Sequence, residues 1–157
     1  MHSFKLFEGY KKSEFRQLNC LWVLINHVSG ELVKLQLLID GVCNSAGSLD
    51  SEYRVLTFLQ RVPDNIGMTT ISDPKVQRYK GTNPLDWGLS GFVLIAESHI
   101  SVHTFPGRKH INIDVFSCKK FDVDKVIEYA IRLFSIDVVT TNILERGLEY
   151  IDGKEIE

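Results

Sequence analysis

Between Trp87 and Cys118 the chain reads as three strands in close succession, and this stretch constrains the fold more than any other. Residues 91–96 (GFVLIA) are almost wholly apolar, 99–104 alternate, and 111–116 (INIDVF) alternate again. Only Glu97 and Ser98 separate the first pair. A link that short cannot carry the crossover that parallel strands need, so the pair must fold back as an antiparallel hairpin.

The rest of the chain supplies what such a sheet must be covered with. Residues 35–40 (LQLLID) read as a buried strand stopped by Gly41, and 68–72 as a short strand broken at Asp73-Pro74, resuming over 76–79. Residues 80–88 (KGTNPLDWG) read as a polar turn region, and 137–144 as a final strand. Tyr53, Leu56, Leu59 and Val62 recur at helical spacing, which predicts a helix over 49–61, capped by Asp50 or Ser48 and ended before Pro63. Val123, Val126, Ile127, Ala130, Ile131 and Phe134 predict a second helix over 122–134 with Asp122 as N-cap. The expected architecture is α+β: an antiparallel sheet with two helices packed on one face. Residues 1–31 show no strong periodicity and are expected to form an N-terminal extension, with the globular domain spanning 32–157. Lys11, Lys12 and Arg16 before the apolar run 18–25 give that extension a faint look of a signal peptide. Asn19 interrupts the run, however, and no small-x-small cleavage site follows.

Charge excludes one class of partner. Eighteen Lys and Arg against twenty Asp and Glu leave a formal net charge of −2, so nucleic acid has no electrostatic reason to bind. The three cysteines, Cys20, Cys43 and Cys118, have no paired ligand spacing. That argues for a reducing, cytoplasmic setting and against a disulfide framework or structural zinc. No apolar run reaches the roughly 20 residues of a membrane span. His99, His103 and His110 could be read together as metal ligands, but no carboxylate is placed to complete such a site.

The chemistry-bearing residues lie in the hairpin region. Glu97-Ser98-His99 ends the apolar strand, His103 follows Ser98 by five residues, Ser90 precedes it by eight, and Cys118 follows by twenty. Singly, each has an ordinary explanation: a turn serine, a strand histidine, a buried small cysteine. Together, at these spacings, they resemble the bacterial and archaeal S-adenosylmethionine decarboxylases, over about residues 32–147.

That resemblance implies a self-cleaving proenzyme. Ser98 would attack the Glu97 carbonyl, and the chain would be cut between 97 and 98. The new N-terminus would become a pyruvoyl group derived from Ser98, which forms a Schiff base with the substrate amine. His103 would be the base of the elimination step and Ser90 would hold the oxygen-bearing intermediate. Cys118 would be the proton donor in turnover. The resemblance also implies a dimer of cleaved αβ protomers acting on a small amino-acid-type substrate, by default S-adenosylmethionine, in spermidine biosynthesis. In one respect the chain departs from the family. A glutamate taken to bind the ribose hydroxyls follows the proline of the His-Thr-aromatic-Pro run; here Gly107 follows Pro106, and Arg108, Lys109 and His110 come next. The alternatives this opens are a pyruvoyl-dependent decarboxylase of ornithine or arginine, or a non-enzymatic regulatory relative. The intact set of Ser90, Glu97, Ser98, His103 and Cys118 argues against the last. A glutamate introduced at 107 is expected to restore the lost acceptor.

Overall fold

The structure, a computed structural model, describes residues 34–146. The expected extension over 1–31, its apolar run and Cys20 lie outside the described residues.

Seven strands form one antiparallel sheet: β1 (Lys34–Cys43), β2 (Thr69–Thr70), β3 (Lys75–Lys80), β4 (Trp87–Ala96), β5 (Ser98–Phe105), β6 (His110–Ser117) and β7 (Ile136–Arg146). The spatial order is β2-β4-β5-β6-β1-β7, with β3 pairing the first half of β4 on the side where β2 pairs its end. Three helices are interspersed: α1 (Ala46–Leu49), α2 (Glu52–Asn65) and α3 (Val123–Phe134).

Alternation sorts the sheet into two unlike faces. Leu37 and Ile39 of β1, Leu89, Val93 and Ile95 of β4, Ile100 and Val102 of β5, and Ile111, Ile113 and Val115 of β6 are buried. They meet Val55, Phe58, Leu59 and Val62 of α2 and Val126, Ala130 and Phe134 of α3. Phe58 joins the two helices, its ring 5.9 Å from Tyr129 and 5.6 Å from Phe134. The opposite face carries the intervening residues and no helix. Among them Phe92, Leu94, Val42, Val138 and Leu144 are each more than 40% exposed.

The α+β architecture agrees with expectation, and the differences have local causes. The helix expected to stop before Pro63 runs to Asn65. A proline in the last turn forfeits only one backbone bond, and Pro63 is buried. The true stop comes at Gly67, whose φ of 71° lets its N–H reach Asp64 O while Met68 N–H reaches Pro63 O. The N-cap is Ser51, whose hydroxyl accepts from Arg54 N–H, rather than Asp50 or Ser48. Ser48 instead lies in α1, a helical turn not foreseen, and donates to Phe134 O at 2.6 Å. Asp122 does cap α3, accepting from Lys125 N–H.

β4 begins at Trp87, four residues before the apolar run, because β3 supplies an edge for it to pair with. Gly88 makes this pairing dense. A Cβ there would lie 1.9 Å from Thr104 O on β5. Gly88→Ala is therefore expected to push β4 and β5 apart and to destabilise the fold by about 3 kcal/mol, the upper range for an overpacked interior. The midpoint of urea unfolding, at unchanged m-value, measures this.

Candidate active site

The β4–β5 hairpin turns through Ala96 and Glu97, with Ile95 paired to Ser98. Ser98 thus opens β5. Its Oγ is buried and has no hydrogen-bond partner among the described residues. No side chain or backbone group of the described residues therefore competes for this hydroxyl's lone pairs or its proton. The adjacent carbonyl is engaged: Cys118 Sγ donates to Glu97 O at 3.1 Å. Cys118 reaches it because β5 pairs β6 with His99 opposite Phe116, which carries Cys118, just past the end of β6, to the level of Glu97. The Glu97 side chain is exposed.

Ser90 and His103 form a second cluster. They face each other across the β4–β5 ladder, with Ser90 Oγ and His103 Nδ1 sharing a hydrogen bond at 3.0 Å. Both lie on the helix-free face. Five residues of strand separate His103 from Ser98, about 16 Å at the usual rise. Alternation also sets Ser98 on the side of Ile100 and Val102, away from His103. The expected site residues are therefore brought together in two groups, Glu97–Ser98–Cys118 and Ser90–His103, at opposite ends of one hairpin.

The Ser90–His103 pair lines an open groove of ≈ 360 Å³ together with Lys75, Gln77, Gly91, Phe92 and Ser101. Lys75 and Gln77 come from β3, opposite Phe92 and Ser90 respectively. Sequence reading passed over both, since their relevance arises from pairing between strands and from no local motif.

Further polar groups on the same face were also missed. Cross-strand pairing lines up Gln77, Ser90, His103, Asn112, Asp40 and Thr140 in one row over six strands. Within it Asn112 Nδ2 donates to Asp40 Oδ1 and lies 3.2 Å from His110 Nε2. One row over, Asp114 Oδ2 accepts from Gln36 Nε2 at 2.7 Å while its Oδ1 is buried without a partner. Arg146 donates to Gln36 Oε1 and lies over the Phe116 ring, 4.6 Å from its centroid. His99 meets the Phe116 ring edge-on. Among the described residues no three His, Cys, Asp or Glu side chains are grouped to hold a metal ion. Cys43 is buried in the core, and burial pushes its thiol up to about 11, so it is a packing residue and not a reactive one.

Gly107 holds a surprise. It lies in a single 3-10 turn, Pro106–Arg108, where a Cβ would come 2.9 Å from Leu85 O, 3.1 Å from Trp87 Nε1 and 3.2 Å from Leu85 Cα. Arg108 Nε donates to Asp86 Oδ1 at 2.7 Å and fastens the 85–87 segment over the turn. The position is thus closed by the chain's own backbone, and the expectation that a glutamate at 107 restores an acceptor is corrected: no side chain fits there without moving residues 85–87.

The helix-backed antiparallel sheet is matched by comparison with known proteins. The family model described as S-adenosylmethionine decarboxylase matches residues 35–147, and the chain belongs to that family. The S-adenosylmethionine decarboxylase proenzyme of Pyrococcus furiosus is 41% identical over 67 residues, 42% of this chain and 48% of that protein. The one from Archaeoglobus fulgidus is 33% identical over 94 residues, 59% of this chain and 79% of that protein. The matched segment thus spans about half the length of the Pyrococcus relative. The crystal structure of the adenosylmethionine decarboxylase from Aquifex aeolicus superposes with a TM-score of 0.60 at 25% identity, covering 76% of this chain and 94% of that one.

Proposed function

We propose that the chain is a self-processing, pyruvoyl-dependent decarboxylase, with S-adenosylmethionine as substrate and residues 32–157 as the catalytic domain. The observation that carries the reading is the Ser98 hydroxyl, buried and without a partner, beside a Glu97 carbonyl already held by a thiol. Attack of Ser98 Oγ on Glu97 C closes a five-membered ring and turns the peptide bond into an ester. Cys118 S–H donates to the oxygen on which negative charge develops. Removal of the Ser98 Cα proton then breaks the Cβ–Oγ bond, and Glu97 departs as a carboxylate. His103 is the base assigned to this step, with Ser90 as its hydrogen-bonded companion.

Within one protomer His103 cannot perform it, because the gap along the strand is about 16 Å, several times the reach of an imidazole from its own Cα. The reading therefore includes a dimer in which the helix-free faces meet and each groove receives the Glu97–Ser98 turn of the other copy. The exposed Phe92, Leu94, Val138 and Leu144 on that face give the association an apolar driving force. No helix among the described residues is long and apolar enough to cross a membrane.

The residue left at position 98 fits a pyruvoyl group, which supplies an electron sink for loss of carbon dioxide. Cys118 Sγ, across from the cut, holds the proton that replaces the lost carboxyl group on the substrate carbon. A second reading, a basic amino acid as substrate, rests only on the absence of a carboxylate at Gly107, and the family match does not favour it. Carbon dioxide release from S-adenosylmethionine, ornithine and arginine in parallel separates the two. Turnover of S-adenosylmethionine alone is expected; turnover of arginine or ornithine with none of S-adenosylmethionine would reverse the assignment.

A further inference from the structure

The groove around Ser90 and His103 contains a cation for which the cleavage chemistry described so far has no use. Lys75 lines it from the edge strand β3, directly opposite Phe92 and one row nearer the hairpin turn than His103. The ion pairs among the described residues are Arg78–Asp50, Arg108–Asp86 and Lys125–Asp122, so neither Lys75 nor Glu97 is engaged in one. Lys75, a cation without an ion-pair partner, thus borders the groove, and an unpaired carboxylate side chain marks the turn assigned to enter it.

We propose that Lys75 of one copy stabilises the carboxylate that Glu97 of the other copy becomes when the ester breaks. This rests on the self-cleavage reading. The step balances within the two chains. A base takes the Ser98 Cα proton, and the C–H pair becomes the Cα=Cβ bond of a dehydroalanine. The Cβ–Oγ pair leaves with the oxygen as the new Glu97 α-carboxylate, adding a unit of negative charge beside the one already on the Glu97 side chain. Two carboxylates on one residue make the departure costly without a counter-charge, and a lysine at the groove wall provides it as the bond breaks. Attack of Ser98 on the carbonyl creates no free carboxylate, so Lys75 acts on the second step and not on the first.

The two steps are separable. Lys75→Met is expected to slow appearance of the blocked smaller chain by about tenfold while the ester accumulates. Hydroxylamine then releases a fragment whose N-terminal serine is readable by Edman degradation. Lys75→Arg, which keeps the charge, is expected to process at close to the wild-type rate. Wild-type elimination should slow as salt rises from 0.1 to 1 M, whereas Lys75→Met should not respond, because only the former has a charge pair to screen. Co-expression of Lys75→Met with Ser98→Ala supplies an intact Lys75 in trans and should restore cutting of the Lys75→Met chain. Wild-type-rate processing by Lys75→Met, or no restoration in the mixed assembly, overturns the proposal. Wild-type protein that neither cuts nor yields an ester defeats the self-cleavage reading itself, a result distinguishable from either.

Discussion

Replacing Ser98 by alanine leaves the chain in one piece. Wild-type protein, incubated after purification, should run as two fragments on a denaturing gel, the C-terminal one blocked to Edman degradation. Ser98→Ala should give a single intact band at any time, with no hydroxylamine-sensitive bond, because no oxygen remains to attack Glu97. The substitution also removes the buried, unpartnered Oγ. Deleting a buried polar atom that has no partner does not destabilise a fold and can stabilise it slightly. Loss of cleavage should therefore come with an unfolding midpoint no lower than that of the wild-type precursor, which separates a chemical role from a structural one. An uncut wild-type chain, or a Ser98→Ala chain that still splits between 97 and 98, contradicts the assignment.

The second large effect is expected at His103, and its form depends on the 16 Å gap. In a homogeneous sample His103→Ala should form the ester yet eliminate at least about 100-fold more slowly, the usual cost of removing a general base. Hydroxylamine should then release a fragment beginning with unmodified serine. In an assembly mixed with Ser98→Ala, each His103→Ala chain keeps its own Ser98 and meets an intact His103 on its neighbour. Cutting of the His103→Ala chain should return, while the Ser98→Ala chain stays whole. A base acting within its own protomer would leave both chains uncut, and that result would refute the face-to-face arrangement. Ser90→Ala, which removes the hydroxyl 3.0 Å from His103 Nδ1, should reproduce the defect in weaker form.

Much of this protein can be read without coordinates, and for local reasons. The strands around Glu97 are legible because alternation and a two-residue link leave only a hairpin. Helix α3 is legible because its apolar positions and the Asp122 cap all lie within its own turns. The candidate site residues can be singled out as a set because the spacing of Ser90, Glu97, Ser98, His103 and Cys118 is itself a pattern along the chain. The sequence predicts helix α2 but ends it before Pro63, because a proline's cost depends on whether the missing bond falls in the last turn, and the Gly67 stop beyond it settles that.

What only the tertiary structure decided is how those residues are grouped in space. A spacing of five residues on one strand holds Ser98 and His103 about 16 Å apart, so one motif along the chain is two groups in space, and the proposed reading needs a second copy to join them. Pairing of β3 with β4 brought Lys75 and Gln77 to the groove, from a segment that reads in sequence as an unremarkable edge. The closure of Gly107 by Leu85 and Trp87 likewise depends on residues some twenty positions away. Register between strands and packing of a loop on a turn are set by the sum of many weak contacts across the sheet, and no stretch of sequence contains that sum.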